Sequence, residues 1–271
     1  MTTKPSSPLA TKELVLGYQQ TTIIQSLDLN IEPNQITVLV GANGCGKSTL
    51  LKSMARLLTP LSGDIFLNQQ NLHQIPGKQV ARQLAILPQG PIAPEGLSVE
   101  QLVRQGRYPH QSWLQSWTEH DEQLVQQALK ATNMLALSHR AVETLSGGQR
   151  QRAWIAMALA QQTDVLLLDE PTTYLDLTHQ IEILDLLFEL NRTQKTTIIM
   201  VLHDLNLACR YAHQMVAVKD GEVFRQGPPE EILDVDMVKA VFDMDCHLTQ
   251  DPLFGTPMCV PKGKGRKLSH V

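Results

Sequence analysis

Aromatic side chains make up only 4% of this chain, and lysine plus arginine (23) are outnumbered by aspartate plus glutamate (27). The first scarcity argues against an aromatic-lined binding module. The second leaves a net charge of −4 and no broad basic surface for nucleic acid. Long apolar runs are missing too. The run Ile198-Ile199-Met200-Val201-Leu202 falls far short of the roughly 20 apolar residues of a spanning helix. Residues 1–10 are polar and carry two prolines, so no secretory signal is expected there. The cysteines Cys45, Cys209, Cys246 and Cys259 are scattered without a C-x-x-C pair. That pattern reads as reduced thiols in a cytosolic protein and argues against a zinc site. No internal repeat or low-complexity tract is evident.

What the chain does have is a 42% hydrophobic content over 271 residues, ample for the core of one large α/β domain. Its organising stretch is Gly41-Ala42-Asn43-Gly44-Cys45-Gly46-Lys47-Ser48-Thr49, which fits the G-x-x-x-x-G-K-[ST] pattern of a P-loop. The β-branched run 36–40 before it predicts a buried strand, and residues 50–58 after it predict a helix ending before Pro60. Strand, glycine loop and helix N-terminus together make an anion site. Backbone N–H groups turn inward, and the helix dipole adds partial positive charge where phosphates sit. Lys47 then supplies a cation for β- and γ-phosphates, and Ser48 a hydroxyl for Mg²⁺.

Taken in order, residues 12–18 and 27–31 read as strands. Tyr18, at the end of the first, either packs or stacks on a nucleobase. Strands are expected again at 63–68 and 84–89, the latter closed by Pro88. From 90 to about 145 the apolar spacing turns helical, as at Leu124, Ala128 and Leu129, which marks an insertion into the sheet protein. Leu145-Ser146-Gly147-Gly148-Gln149 then opens a strong helix, with Ser146 as its N-cap or a phosphate donor. Val165-Leu166-Leu167-Leu168-Asp169-Glu170 is an apolar strand ending in two carboxylates, the Walker B pattern. Asp169 is suited to hold Mg²⁺ and Glu170 to polarise a water. A helix over 178–192 and a buried strand over 196–202 lead to His203, which either bonds a γ-phosphate or caps the helix 205–211. Residues 215–224 read as a hairpin with a type I′ turn at Asp220-Gly221, followed by short helices at 230–233 and 236–242. The basic end, 262–267, reads as a solvated tail.

The P-loop, Gln89, Leu-Ser-Gly-Gly-Gln, the Asp-Glu pair, Leu175-Asp176 and His203, in this order, resemble an ABC-type ATPase subunit. The likeness covers residues 14 to 266, with Leu-Ser-Gly-Gly-Gln the discriminating motif. It implies a RecA-like P-loop NTPase core with an antiparallel β subdomain and an inserted helical subdomain. As a single domain, the core takes about 12–89 and 161–240, the helical subdomain about 90–160, and the tail about 241–271. It implies ATP and Mg²⁺, with Tyr18 against adenine and Gln89 touching Mg²⁺ while relaying motion to the helical lobe. Ser146, Gly147, Gly148 and Gln149 would close over ATP held by the other copy of a homodimer. Asp176 matches the interface loop, and His203 the switch histidine. Catalysis would rest on Glu170, His203, Gln89 and Lys47. Ala42 departs from the proline frequent in the family, at little cost because alanine reaches the same φ.

A narrower likeness, in Gly106-Arg107-Tyr108-Pro109-His110, Asp169-Glu-Pro-Thr-Thr-Tyr-Leu-Asp176 and Leu202-His-Asp-Leu-Asn206, is to ATPases of ferric-siderophore importers. Vitamin B12 and haem importers use related subunits. The implied partners are membrane permease subunits and, indirectly, a periplasmic or lipoprotein siderophore-binding protein. The implied place is the cytoplasmic face of the inner membrane. Arg107 is expected on the exposed, permease-facing surface of the helical lobe. A soluble ABC ATPase of translation or DNA repair is the rival reading, and it lacks the paired cassettes or coiled-coil inserts usual there. A P-loop kinase or GTPase is disfavoured by Leu-Ser-Gly-Gly-Gln.

Overall fold

The computed structural model describes residues 7–19, 21–111 and 117–264. β1 (Leu9–Tyr18) and β2 (Thr21–Asn30) pair antiparallel. β3 (Ile36–Val40), buried throughout, delivers the glycine loop to α1 (Lys47–Met54). β4 (Ser62–Leu67) and the two-residue β5 (Gln70–Asn71) complete an antiparallel sheet in the order β2-β1-β4-β5. After α2 (Gly77–Ala81), β6 (Leu84–Leu87) stops at Pro88. Helices α3 (Val99–Gln105), α4 (Glu119–Ala131) and α5 (Gly147–Ala160) follow, packed on one another. Each starts at a hydroxyl N-cap, Ser98, Thr118 or Ser146, closed as a capping box that satisfies two otherwise orphaned donors. β7 (Val165–Leu168), α6 (Leu177–Gln194), β8 (Thr197–Val201) and α7 (Leu205–Tyr211) come next. The hairpin of β9 (Gln214–Lys219) and β10 (Glu222–Gly227) leads to α8 (Pro229–Ile232) and α9 (Val235–Phe242). A second hairpin, β11 (Cys246–Gln250) with β12 (Pro257–Pro261), closes the described chain.

The central sheet has the order β10-β9-β3-β8-β7-β6, parallel except where β10 meets β9. β6 and β7 are apolar at every position, and β3 and β8 at all but Thr37 and Thr197, because both faces are buried. On one face Ile36, Val38, Leu166, Leu168, Ile198 and Met200 pack against the helical lobe, α6 and α7. On the other, Leu39, Leu167, Ile199, Val201 and Val216 meet α1 and the antiparallel sheet. The period-2 alternation thus welds two layers through one sheet, and all parallel strands aim their C-terminal ends at the glycine loop's side.

Three expectations need correction or extension. The first helix ends at Met54 instead of running on towards Pro60. Arg56 turns left-handed (φ 61°), and Arg56 N–H bonds Ser53 O while Leu57 N–H bonds Lys52 O, a Schellman stop. The guanidinium, bonded to the carbonyls of Ile75 and His73, holds arginine in a conformation it otherwise avoids. The stretch 241–271, expected as a tail, carries the second hairpin. Asn206 of α7 clasps β12 by bonding both N and O of Cys259, and Arg210 pairs with Asp251. Of the basic end 262–267, residues from 265 on lie outside the described residues, as do 1–6. The type I′ turn forms as expected, with Asp220 and Gly221 at φ 49° and 81°.

Arg107 is the third. It is buried, not exposed: its Nε donates to Asp121 Oδ1 at 2.9 Å and its Nη1 to Ala160 O at 2.8 Å. It therefore ties the end of α3 to α4 and α5. Burial alone would raise the Asp121 pKa, but hydrogen bonds from Thr118 and Arg107 hold it below the ordinary range. Arg107→Ala strands that carboxylate, which for a buried pair costs about 3–5 kcal/mol. Chemical denaturation should register a loss of that size; a change within the error of the extrapolation would contradict the pairing.

Candidate functional site

The buried strand β3 ends at Val40, and the loop 41–46 turns back over the start of α1. Gly46 is the N-cap of α1 at φ 105°, a left-handed conformation that favours glycine. A Cβ there would also sit 3.1 Å from Ile24 Cγ1 and 3.2 Å from Ile23 Cγ2, so β2 backs the loop closely. Lys47 is buried, and its Nζ donates to Gly41 O (2.8 Å) and Ala42 O (2.9 Å), with Cys45 Sγ at 3.6 Å. All three ammonium donors are thereby spent on the loop itself. An anionic phosphate can displace them, since charge-assisted bonds are roughly twice as strong as those to neutral carbonyls.

β7 runs straight into Asp169, whose Oδ1 accepts from Ser48 Oγ at 2.8 Å. Burial pushes the Asp169 pKa up, with Glu170 adding to the rise and the Ser48 bond opposing it. A cation beside it would relieve that penalty. Hydroxyl plus carboxylate is a hard-oxygen pair, and among the described residues no group of three or more His, Cys, Asp or Glu side chains could hold a metal. Such a pair fits Mg²⁺, which takes most of its ligands from phosphates and water.

Glu170 follows at φ 52°, an unusual backbone for a residue with a Cβ. Its carboxylate is where three other elements converge. Gln89 Nε2 donates to Oε2 at 2.6 Å, Thr173 Oγ1 to Oε2 at 2.9 Å, and His203 Nε2 lies 2.7 Å from Oε1. A carboxylate offers about four lone-pair sites. Three partners therefore leave one for a water. Asp204, not His203, caps α7, bonding the N–H groups of Asn206 and Leu207, so the capping alternative for His203 falls away.

Of the sequence-derived candidates, Asn43, Gly44, Gly46, Lys47, Ser48, Thr49, Glu170 and His203 line one cavity of about 200 Å³. Gln89 joins them through Glu170 and, with Glu170, lines a neighbouring cavity of about 230 Å³ beside Gly147 and Trp154. Cys45 and Asn43 edge a third, of about 470 Å³, under the Asp220-Gly221 turn. Tyr18 is 44% exposed and lines none of the three. Ser146 and Gln149 cap their own helix, and Asp176 caps α6. Together with Gly148 they stand outside the phosphate cavity. Sequence reasoning missed Ile23, in the cavity wall, and Thr173, on Glu170. The only available signal for Thr173 was its place three residues after the carboxylate.

The fold and loop are those of P-loop nucleotide-binding ATPases. The ABC transporter family model matches residues 24–173. The petrobactin import ATP-binding protein of Bacillus anthracis is 62% identical over 260 residues, spanning 96% of this chain and 95% of that protein. The ferric enterobactin transport ATP-binding protein of Escherichia coli is 44% identical, with 97% of each chain covered. A cobalamin import ATP-binding protein of Halobacterium salinarum is more distant, at 36% over 89% of this chain and 60% of its own. Among solved structures, an inward-facing metal-chelate type ABC transporter superposes with a TM-score of 0.82 at 30% identity, covering 96% of this chain and 98% of that one. The chain belongs to the ABC transporter family as an ATP-binding subunit, a class that hydrolyses ATP to drive transport.

All four thiols are buried, but they differ in what they face. Burial pushes Cys209 up to about 12 and Cys259 up to about 11, and both are nearly solvent-free. Cys45 alone edges a cavity at the loop. Maleimide should therefore label Cys45 first, inactivate the protein, and do so more slowly with Mg-ATP present. Peptide mass spectrometry showing Cys209 or Cys259 modified before Cys45 would contradict this order.

Proposed function

We propose that the chain is the energy-coupling ATPase of a bacterial importer for ferric siderophores, peripheral to the cytoplasmic face of the inner membrane. The observation that carries the ATPase mechanism is the convergence of Gln89, Thr173 and His203 on Glu170 at the mouth of the phosphate cavity. The names of the two more similar relatives above support the siderophore over cobalamin. Among the described residues no helix is long and apolar enough to cross a membrane, which fits a separate permease. A siderophore-binding protein would feed that permease from outside.

In this reading the loop N–H groups and Lys47 hold the β- and γ-phosphates, and Tyr18 stacks on adenine. Ser48, Asp169 and Gln89 hold Mg²⁺, which supplies charge neutralisation at the phosphates. Glu170 accepts the proton of the attacking water on its remaining lone pair. His203 orients the carboxylate and, with the γ-phosphate present, turns to it. Ser146, Gly147, Gly148, Gln149 and Asp176 complete the site of a second copy. Tyr174 and Leu177, 92% and 69% exposed on either side of Asp176, give that face the apolar surface an interface needs. The core (12–89 and 161–240) then acts with the helical subdomain (90–160) and the C-terminal segment (241–271) as one domain.

Glu170→Gln should abolish turnover and retain ATP binding, so an ATP-bound pair persists on a sizing column. Turnover near the wild-type rate would remove Glu170 as the base. Lys47→Ala should weaken nucleotide binding and cut the rate by about 10²–10³, the scale of losing one charged stabiliser. In cells, deleting the gene should stop growth on a ferric siderophore as sole iron source. Growth unaffected on every ferric siderophore, with no second importer present, would contradict the cargo.

A further inference from the structure

The Leu-Ser-Gly-Gly-Gln motif that opens α5, the signature turn, and the loop at Asp176 belong to different helices, yet one side chain bridges them. His179, in the first turn of α6, places Nδ1 2.7 Å from Asp176 Oδ1, while its backbone N–H bonds the same oxygen at 2.9 Å. An ionised carboxylate only accepts, so Nδ1 carries the proton and donates. The other edge of the ring lies on Gly148. A Cβ on Gly148 would come 2.3 Å from His179 Cδ2 and 2.8 Å from Cγ, so only glycine admits the ring there. Next to this contact, a Cβ on Gly147 would sit 3.4 Å from Leu175 Cδ2. One turn further along, Arg152 of α5 pairs with Glu182 of α6 at 2.5 Å, which keeps the two helices in register.

We propose that His179 is a positioning residue: its imidazole is the strut that holds the signature turn at Gly148 and the loop at Asp176 as one rigid face. The assignment rests on the reading above, in which both elements address ATP bound to a second copy. Two loops that must dock together on one ligand lose affinity when they move independently, because each must be ordered separately on contact. The ring removes that freedom beforehand. The strut works only if both ends hold. The Asp176 bond without the ring contact, or the ring contact without the bond, breaks the link through His179 and leaves only the Leu175 packing and the Arg152–Glu182 pair between the two elements. The cap itself does not depend on the imidazole, since the His179 backbone N–H bonds Asp176 whatever the side chain. Side-chain exposures of 38% for His179 and 68% for Asp176 make the bond a poor source of fold stability. Its effect is on geometry.

The test uses the full chain carrying Glu170→Gln, with three substitutions at His179. His179→Phe keeps a ring over Gly148 and removes the donor. His179→Asn keeps a donor at the Nδ1 position and removes the ring. His179→Ala removes both. Two quantities are read: binding of a fluorescent ATP analogue at protein concentrations where the chain is single, and the concentration at which Mg-ATP drives pairing on sedimentation. Single-copy binding, which needs only the protein's own phosphate loop, should stay within about twofold. Pairing should weaken by about 10- to 100-fold in all three, the scale of a misplacement near 1 Å. In an otherwise native chain the same variants should raise the ATP concentration needed for half-maximal rate. Pairing at wild-type strength in the Phe or the Asn variant would overturn the strut, by showing that one contact suffices. Parallel loss of single-copy binding in all three would overturn it too, since His179 would then merely hold the fold. Failure of Glu170→Gln itself to pair with ATP, before any change at His179, would identify the two-copy reading as the fault.

Discussion

The carboxylate of Glu170 is the point on which the site depends. It stands after four buried residues of β7, at a positive φ that turns it away from the strand line towards the glycine loop. Gln89 reaches it from the end of β6, His203 from the end of β8, and Thr173 from the turn beyond. Strands β6, β7 and β8 are neighbours in one parallel sheet. Their C-terminal ends therefore present three functional groups side by side with no long-range folding of loops. The register of the sheet sets the distances, and the sheet is held by apolar residues on both faces.

The same logic links the site to the rest of the molecule. Gln89, bonded to Glu170, opens the helical lobe, and Gly147 at the start of α5 lines the same cavity as both. Arg107 then makes the lobe a unit, because a single guanidinium joins the end of α3 to Asp121 of α4 and to the last carbonyl of α5. On the opposite side, α7 starts directly after His203 and Asp204 and is clasped by the C-terminal hairpin through Asn206 and Arg210. His203 thus stands directly before a helix that the hairpin holds in place, and its ring, 45% exposed, lies 2.7 Å from Glu170 Oε1.

Much of this was legible as contiguous motifs. Loop, signature and paired carboxylates each occupy a few successive residues, and their physical roles follow from local backbone and charge. Strand periods were equally readable, because residues such as Ile198 to Val201 are apolar at every position. What was not legible depends on distant partners. Arg107 sits in Gly-Arg-Tyr-Pro-His, which has the texture of a surface loop; only Asp121 and the Ala160 carbonyl make it a buried residue. The hairpin at 246–261 contains Pro257 and Pro261 and little alternation, so its existence rests on Asn206 and Arg210 of α7. The early stop of α1 likewise depends on carbonyls of Ile75 and His73, which sequence spacing does not announce.

The central claim is that this chain holds half of each hydrolytic site and that a second copy supplies the rest. The most direct measurement is the ATPase rate per subunit at saturating Mg-ATP as the purified chain is diluted. The account predicts a rate per subunit that is low where the chain is single, rises as pairs form, and levels off when pairing is complete. A rate per subunit that stays constant into the range where sedimentation shows only single copies would contradict it.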